Sequence, residues 1–192
     1  MYGTFNQMRP LIRLIPSMRC FSYDLKSATD RWPLLFLFEV IQCLFDRSFA
    51  SNAVNVALGY NRFDVPFVRS HRPVCFVAGQ PLGYYASWPL FALSHHILMW
   101  WCAEQEQAYL GKYFDRYAVL GDDILITDPW VAGIYKETLA RLGVKISLSK
   151  SLVSSTGCVE FAKRFFVKGM SVDLSPLSVK SLLSFLPTIH MV

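Results

Sequence analysis

An α+β fold, with an antiparallel sheet and helices packed on one face, is what the sequence predicts. Three observations carry that prediction. The chain reads as strand, helix, helix, hairpin, helix and then further strands, not as the strict alternation that builds a parallel sheet. Two apolar runs, Tyr117–Leu120 and Ile124–Ile126, flank Gly121-Asp122-Asp123, the pattern of a tight hairpin turn. Leu34–Phe45 is apolar on nearly every side apart from Glu39 and Gln42, as a helix buried against a sheet must be.

Each element follows from local signals. Cys20–Asp24 reads as a short strand ending in a carboxylate. Thr29 or Asp30 can cap a helix with Pro33 in its first turn, running to about Arg47. Residues 48–73 are mixed in character and read as irregular. A short strand at Val74–Val77 leads through the glycine-rich turn Ala78–Gly83 into a long helix, and the Gly-Asp-Asp hairpin follows it. A helix is expected from Pro129 to about Leu142, ended by Gly143 at its C-cap. Beyond it lies Val144–Leu148. The alternating runs Val159–Val167 and Met170–Leu174 read as a hairpin, and a short helix at Pro176–Phe185 closes the chain.

The composition narrows the function classes. At 192 residues the chain is one domain of ordinary size, and it is 53% hydrophobic, 15% aromatic and only 17% charged. So apolar a balance fits a well-buried domain or a piece of a larger assembly. The five cysteines are scattered and form no C-x-x-C pair, which argues against a disulfide framework or a zinc site. The net charge of +5 is compatible with a polyanionic partner but does not demonstrate one. No secretory signal pattern opens the chain, and its two early prolines argue against a transit helix. Tyr84–Ala103 carries no formal charge and is long enough to span a bilayer. Its proline, its serines, His95-His96 and the absence of a basic flank favour a buried helix instead. Adjacent histidines point to different helix faces, so at least one belongs to the core.

A Gly-Asp-Asp turn alone is more often a solvated bend than a metal site. The sharper reading needs a partner, and Asp24 supplies it. A hairpin laid beside the strand of Asp24 would gather Asp24, Asp122 and Asp123 at one sheet edge. Three carboxylates sharing a small volume call for a counter-charge, which Mg²⁺ or Mn²⁺ provides through oxygen ligands. Two such ions, about 3.5–4 Å apart, can hold the attacking and leaving oxygens of a phosphoryl transfer.

The segments "SYDLKSATDRWP", "GQPLGYYASWPLFALSHH", "YAVLGDDILIT", "LGVKISLSKSL" and "VEFAKRFF" stand in the order and spacing of palm motifs A to E of viral RNA-dependent RNA polymerases. The resemblance is closest to the mitovirus branch and runs from about Gly3 to Pro176. It implies a polymerase palm occupying residues 1–192. Residues 1–19 would precede motif A, 20–176 would hold motifs A to E, and 177–192 would begin a thumb. The fingers and most of the thumb are expected to be missing.

The resemblance also implies roles. Asp24 and Asp122 would bind metal, with Asp123 weaker or supporting. Asp30 would face the ribose of the incoming nucleotide. Gly79 and Gly83 would let the backbone approach the template and nascent pair, beside the Ser87 hydroxyl, while Phe91 stands about where the motif has asparagine. Lys150, with Lys145 as rival, would neutralise or protonate pyrophosphate. Glu160–Phe166 would form a hairpin supporting the primer strand, with Lys163 and Arg164 available for its phosphates. The implied partners are an RNA template and nucleoside triphosphates, with a possible separately encoded fingers segment; membrane association is not favoured. The expectation is a mitovirus-derived sequence carried in a plant mitochondrial genome and inactive alone. The alternative is an RNA-binding remnant or a small mitochondrial membrane protein without catalysis.

Overall fold

The structure is a computed structural model that describes residues 8–15, 17–59, 61–67, 73–81, 83–168 and 174–175. Its centre is an antiparallel sheet ordered β4 (Tyr117–Leu120), β5 (Asp123–Ile126), β1 (Cys20–Lys26) and β6 (Lys145–Ile146). On the same edge as β6, the other end of β1 also pairs with β7 (Leu152–Ser154). A separate hairpin, β8 (Cys158–Phe161) with β9 (Arg164–Val167), completes this region.

Period-two alternation divides the sheet into two faces. Tyr23, Leu25, Tyr117, Val119, Ile124 and Ile126 point to one side and join the larger core. Against them pack the helices α3 (Leu34–Leu44), α5 (Ser87–Glu104) and α6 (Pro129–Arg141), through Leu37, Ile41, Phe91, Leu98, Val131 and Tyr135. Cys20, Ala118 and Leu125 point to the other side and meet Leu11 and Leu14 of α1 (Met8–Leu11) and the turn after it, together with Val159, Phe161 and Phe166. The expected α+β arrangement is therefore present, with the hairpin β8–β9 covering part of the sheet's second face.

Several local expectations need correction. The helix predicted from Thr29 or Asp30 to Arg47 is two helices, α2 (Ala28–Arg31) and α3, broken at Trp32-Pro33. Pro33 cannot donate a backbone hydrogen bond, and extended geometry before it stops the first turn. The N-cap of α2 is Ser27 in a left-handed conformation, while Thr29 and Asp30 lie within the helix. Residues 48–73 were expected to be irregular. They include α4 (Arg47–Ser51), capped by the Asp46 carboxylate on the Phe49 N–H at 2.8 Å, and a π-helical run, Asn52–Gly59. The short pair β2 (Arg62–Phe63) and β3 (Val74–Cys75) follows.

Val159–Val167 is not one strand. It folds back on itself at Ala162-Lys163, both at positive φ (54° and 63°), with neither glycine nor asparagine to mark the bend. The expected helix at 176–185 and most of Met170–Leu174 lie outside the described residues. Tyr84–Ala103 forms α5 from Ser87 onward, and among the described residues no helix is long and apolar enough to cross a membrane.

Candidate active site

Register fixes the first pair. Asp24 of β1 lies directly opposite Asp123 of β5, so both side chains leave the same face, the one opposite the helices. Leu120 pairs with Asp123 across a two-residue turn, Gly121-Asp122. Gly121 takes φ 61°, which a hairpin of this length asks of its first turn residue. The Leu25 N–H then donates to the Asp122 carbonyl at 3.2 Å, pinning the turn to β1. Asp24, Asp122 and Asp123 thus gather at one edge despite their separation in sequence.

The surroundings are charged and partly dry. Asp24 is 5% exposed. Lys163, in the β8–β9 turn, brings its ammonium to 3.4 Å from Asp24 Oδ2 and 3.9 Å from Glu160 Oε1. Lys150 stands 3.9 Å from Asp24 Oδ1. Burial pushes the Asp123 carboxyl up to about 6; Lys163 opposes that rise, while Asp122, Asp24 and Glu160 add to it. Backbone contacts fix the first carboxylate's strand. The Asp24 N–H donates to Ser151 Oγ at 3.2 Å, and the Ser147 N–H donates to the Asp24 carbonyl at 2.8 Å.

Among the described residues, no three Asp, Glu, His or Cys side chains already converge as a cation cage. The donors are carboxylate oxygens, the kind a hard divalent ion takes, and the two ammonium groups at the oxygens of Asp24 stand where such an ion would sit. Asp24, Asp122 and Asp123 would hold such an ion.

The remaining predicted residues distribute unevenly. Lys150 and Lys163 reach the carboxylates; Lys145 is exposed on β6 and makes no ion pair among the described residues. Arg164 lies on β9, its guanidinium 5.9 Å from the Phe166 ring centre. Asp30 is exposed and lines a cleft of about 460 Å³ with Ser27, Arg31, Ala78, Leu142 and Gly143.

Gly79 makes a close approach within this chain. Its N–H donates to the Trp32 carbonyl at 2.7 Å, and a Cβ there would fall 2.4 Å from the backbone of Thr29 and Asp30. Gly83 has open space around it and φ 97°. Ser87 opens α5 with a buried hydroxyl that has no hydrogen-bond partner among the described residues, and the same holds for the buried Gln80 amide. Sequence reasoning missed Glu160, Ser147 and Ser151 as neighbours of the site. Glu160 alternates with buried Val159 and Phe161, a period-two signal that was available, but no spacing rule marks the two serines.

A family model described as Mitovirus RNA-dependent RNA polymerase matches residues 1–192. The chain belongs to that family. The mitovirus polymerase relatives include the RNA-directed RNA polymerase of Cryphonectria parasitica mitovirus 1, 32% identical over 84% of this chain and 20% of the viral protein. An uncharacterized mitochondrial protein of Arabidopsis thaliana is 63% identical over 79% of this chain and 74% of its own length. In fold, the chain is similar to an insertion-loop deletion mutant of the RNA-dependent RNA polymerase of a human picobirnavirus. That match has a TM-score of 0.65 at 12% identity and covers 92% of this chain and 39% of the other. A telomerase from Candida albicans shares the fold with a TM-score of 0.61. The described sheet and helices thus form a polymerase palm-like fold.

Proposed function

We propose that this chain is the palm of a mitovirus-type RNA-dependent RNA polymerase, working in the mitochondrion, and that its carboxylate edge is built for nucleotidyl transfer. The observation that carries the reading is the direct cross-strand pairing of Asp24 with Asp123, with Asp122 in the adjoining turn. Bound divalent ions would lower the pKa of a primer hydroxyl and offset the charge of departing pyrophosphate. The chain's own residues do the rest. Asp24 and Asp123 define the edge. Lys163 and Lys150 screen it, and Lys150, 3.9 Å from Asp24, would neutralise pyrophosphate or give it a proton. Asp30, exposed at its cleft, would accept from a ribose hydroxyl, the group that separates RNA from DNA.

Phosphoryl transfer depends almost wholly on positioning and electrostatics, so carboxylates without a grip on the triphosphate give little turnover. Ion binding and turnover are therefore measured separately. Saturable Mn²⁺ binding to the full chain, weakened at least about 10-fold in Asp24→Asn and in Asp123→Asn, is the expected result. Mg²⁺-dependent extension of a primed RNA, by the chain alone or with a fingers segment supplied in trans, should be lost in both variants. Mn²⁺ binding that persists unchanged in both variants, or extension that survives them, overturns the reading.

A further inference from the structure

The long helix α5 does more than fill the core. Trp88, Phe91 and His95 fall at i, i+3 and i+7, one face of a helix, and that face meets the Gly121-Asp122 turn. The Trp88 ring lies so close over Gly121 that a Cβ there would come within 2.4 Å of it. Two helical turns on, His95 is fully buried, with Nδ1 3.2 Å from the Gly121 carbonyl oxygen and Nε2 2.7 Å from the Tyr135 hydroxyl.

Donor and acceptor roles follow from these partners. A carbonyl oxygen only accepts, so Nδ1 carries the proton and donates to Gly121; Nε2 of a neutral ring then accepts from the Tyr135 O–H. Burial lowers the imidazole pKa to about 3, so the ring is neutral at physiological pH and this tautomer is the one present. Tyr135, itself fully buried on α6, stacks on His95 (5.9 Å, 13°) and on Tyr23 (6.3 Å, 15°), the neighbour of Asp24 in β1. One buried unit therefore touches the strand of Asp24 and the turn of Asp122.

We propose that His95, backed by the Tyr135 hydroxyl, is a positioning residue that fixes the Gly121-Asp122 turn against α5 and thereby sets Asp122 and Asp123 relative to Asp24. Its consequence for ion binding rests on the polymerase reading; its structural content does not.

The test uses the full chain with His95→Asn, His95→Leu and Tyr135→Phe. Asparagine keeps an N–H near the Nδ1 position, leucine keeps only bulk, and phenylalanine keeps the ring stack without the hydroxyl. Amide hydrogen exchange at residues 121–124 should quicken about 10-fold or more in His95→Leu and about 3-fold in Tyr135→Phe, while His95→Asn stays within about 2-fold of the parent. Amides of Phe21 and Ser22 should not change. Mn²⁺ affinity should fall in the same order. Nitrogen-15 spectra of the parent should show the neutral Nδ1–H tautomer between pH 5 and 8.

Exchange in His95→Leu equal to the parent's, a His95→Asn variant as impaired as His95→Leu, or an Nε2–H tautomer would each overturn the proposal. If the parent binds no Mn²⁺, the polymerase reading fails while exchange and tautomer still decide the role of His95. Should His95→Leu not fold, Tyr135→Phe and His95→Asn carry the comparison.

Discussion

The two faces of the central sheet are built on opposite principles. Toward the helices, Tyr23, Ile124, Ile126 and Val119 meet Phe91, Leu98, Tyr135 and Leu139, and the imidazole among them, His95, is neutral with both nitrogens bonded. Away from the helices, β1 and β5 present Asp24 and Asp123 side by side, with Glu160 near and the ammonium groups of Lys150 and Lys163 against Asp24. Stability is concentrated on the first face. The second holds an electrostatic conflict that the fold tolerates, which is the usual signature of a site kept for binding or chemistry.

The largest expected break in this comparison comes from the helix face. Phe91→Ala removes a fully buried ring that packs edge-on against Trp32 at 4.8 Å, and it should cost about 3–5 kcal/mol in chemical denaturation. Asp123→Asn, on the opposite face, should leave the fold at least as stable as the parent at pH 8 while weakening Mn²⁺ binding. A large loss of stability in Asp123→Asn would erase the contrast.

Acid should separate the faces next. His95 has a folded pKa of about 3, below its ordinary 6.5, so its unfolded form takes up a proton first. Its contribution is fully present above pH 6.5 and falls by about 1.4 kcal/mol per unit as pH drops from there toward 3. Asp123 works in the reverse sense. Its folded pKa of about 6 exceeds the ordinary 3.8, so the native state binds the extra proton, and stability falls as pH rises from about 4 to 6. Urea midpoints across pH 3–8 should therefore rise more steeply with pH in Asp123→Asn than in the parent. In His95→Asn the rise should flatten. Identical profiles for the two variants would contradict the assignment.

Much of this contrast was legible in the sequence. Period-two alternation around Gly121-Asp122-Asp123 and the apolar character of 34–45 gave the sheet and the helix that covers it. The expectation that at least one of the adjacent histidines belongs to the core holds, and it is His95 that is fully buried. His96 bonds through Nδ1 to the Tyr117 hydroxyl at 2.6 Å and is only partly buried. What failed to show were features decided by tertiary contact. The Ala162-Lys163 turn uses residues that carry no turn signal, so alternation alone read Val159–Val167 as one strand, while the motif E resemblance implied the hairpin at Glu160–Phe166 that is present. No sequence signal separates the π-helical run at Asn52–Gly59 from an ordinary α-helix, and Ser151 reaches Asp24 from 127 positions away. Gly79 was expected to make room for a template and nascent pair; the close approach it makes in this structure is to Thr29 and Asp30.

The smallest effect belongs to the lysines. Lys163 is 67% exposed, so Lys163→Met should change stability by less than about 1 kcal/mol. It should also move the Asp123 carboxyl upward, because Lys163 is the group that lowers it. A nuclear magnetic resonance titration of that carboxyl reads the shift directly. Lys150→Met, at 3.9 Å from Asp24, should do less to stability than Lys163→Met.

Iron-directed cleavage is the most direct trial of the shared carboxylate edge. Fe²⁺ replaces the divalent ion, and ascorbate with peroxide then cuts whichever backbone lies beside it. Two clusters of cuts are expected together, around residues 22–26 and 120–124, both suppressed by excess Mg²⁺ and both lost in Asp24→Asn. Cuts confined to one segment, or cuts that ignore Mg²⁺ and the loss of the residue-24 carboxylate, would contradict the account.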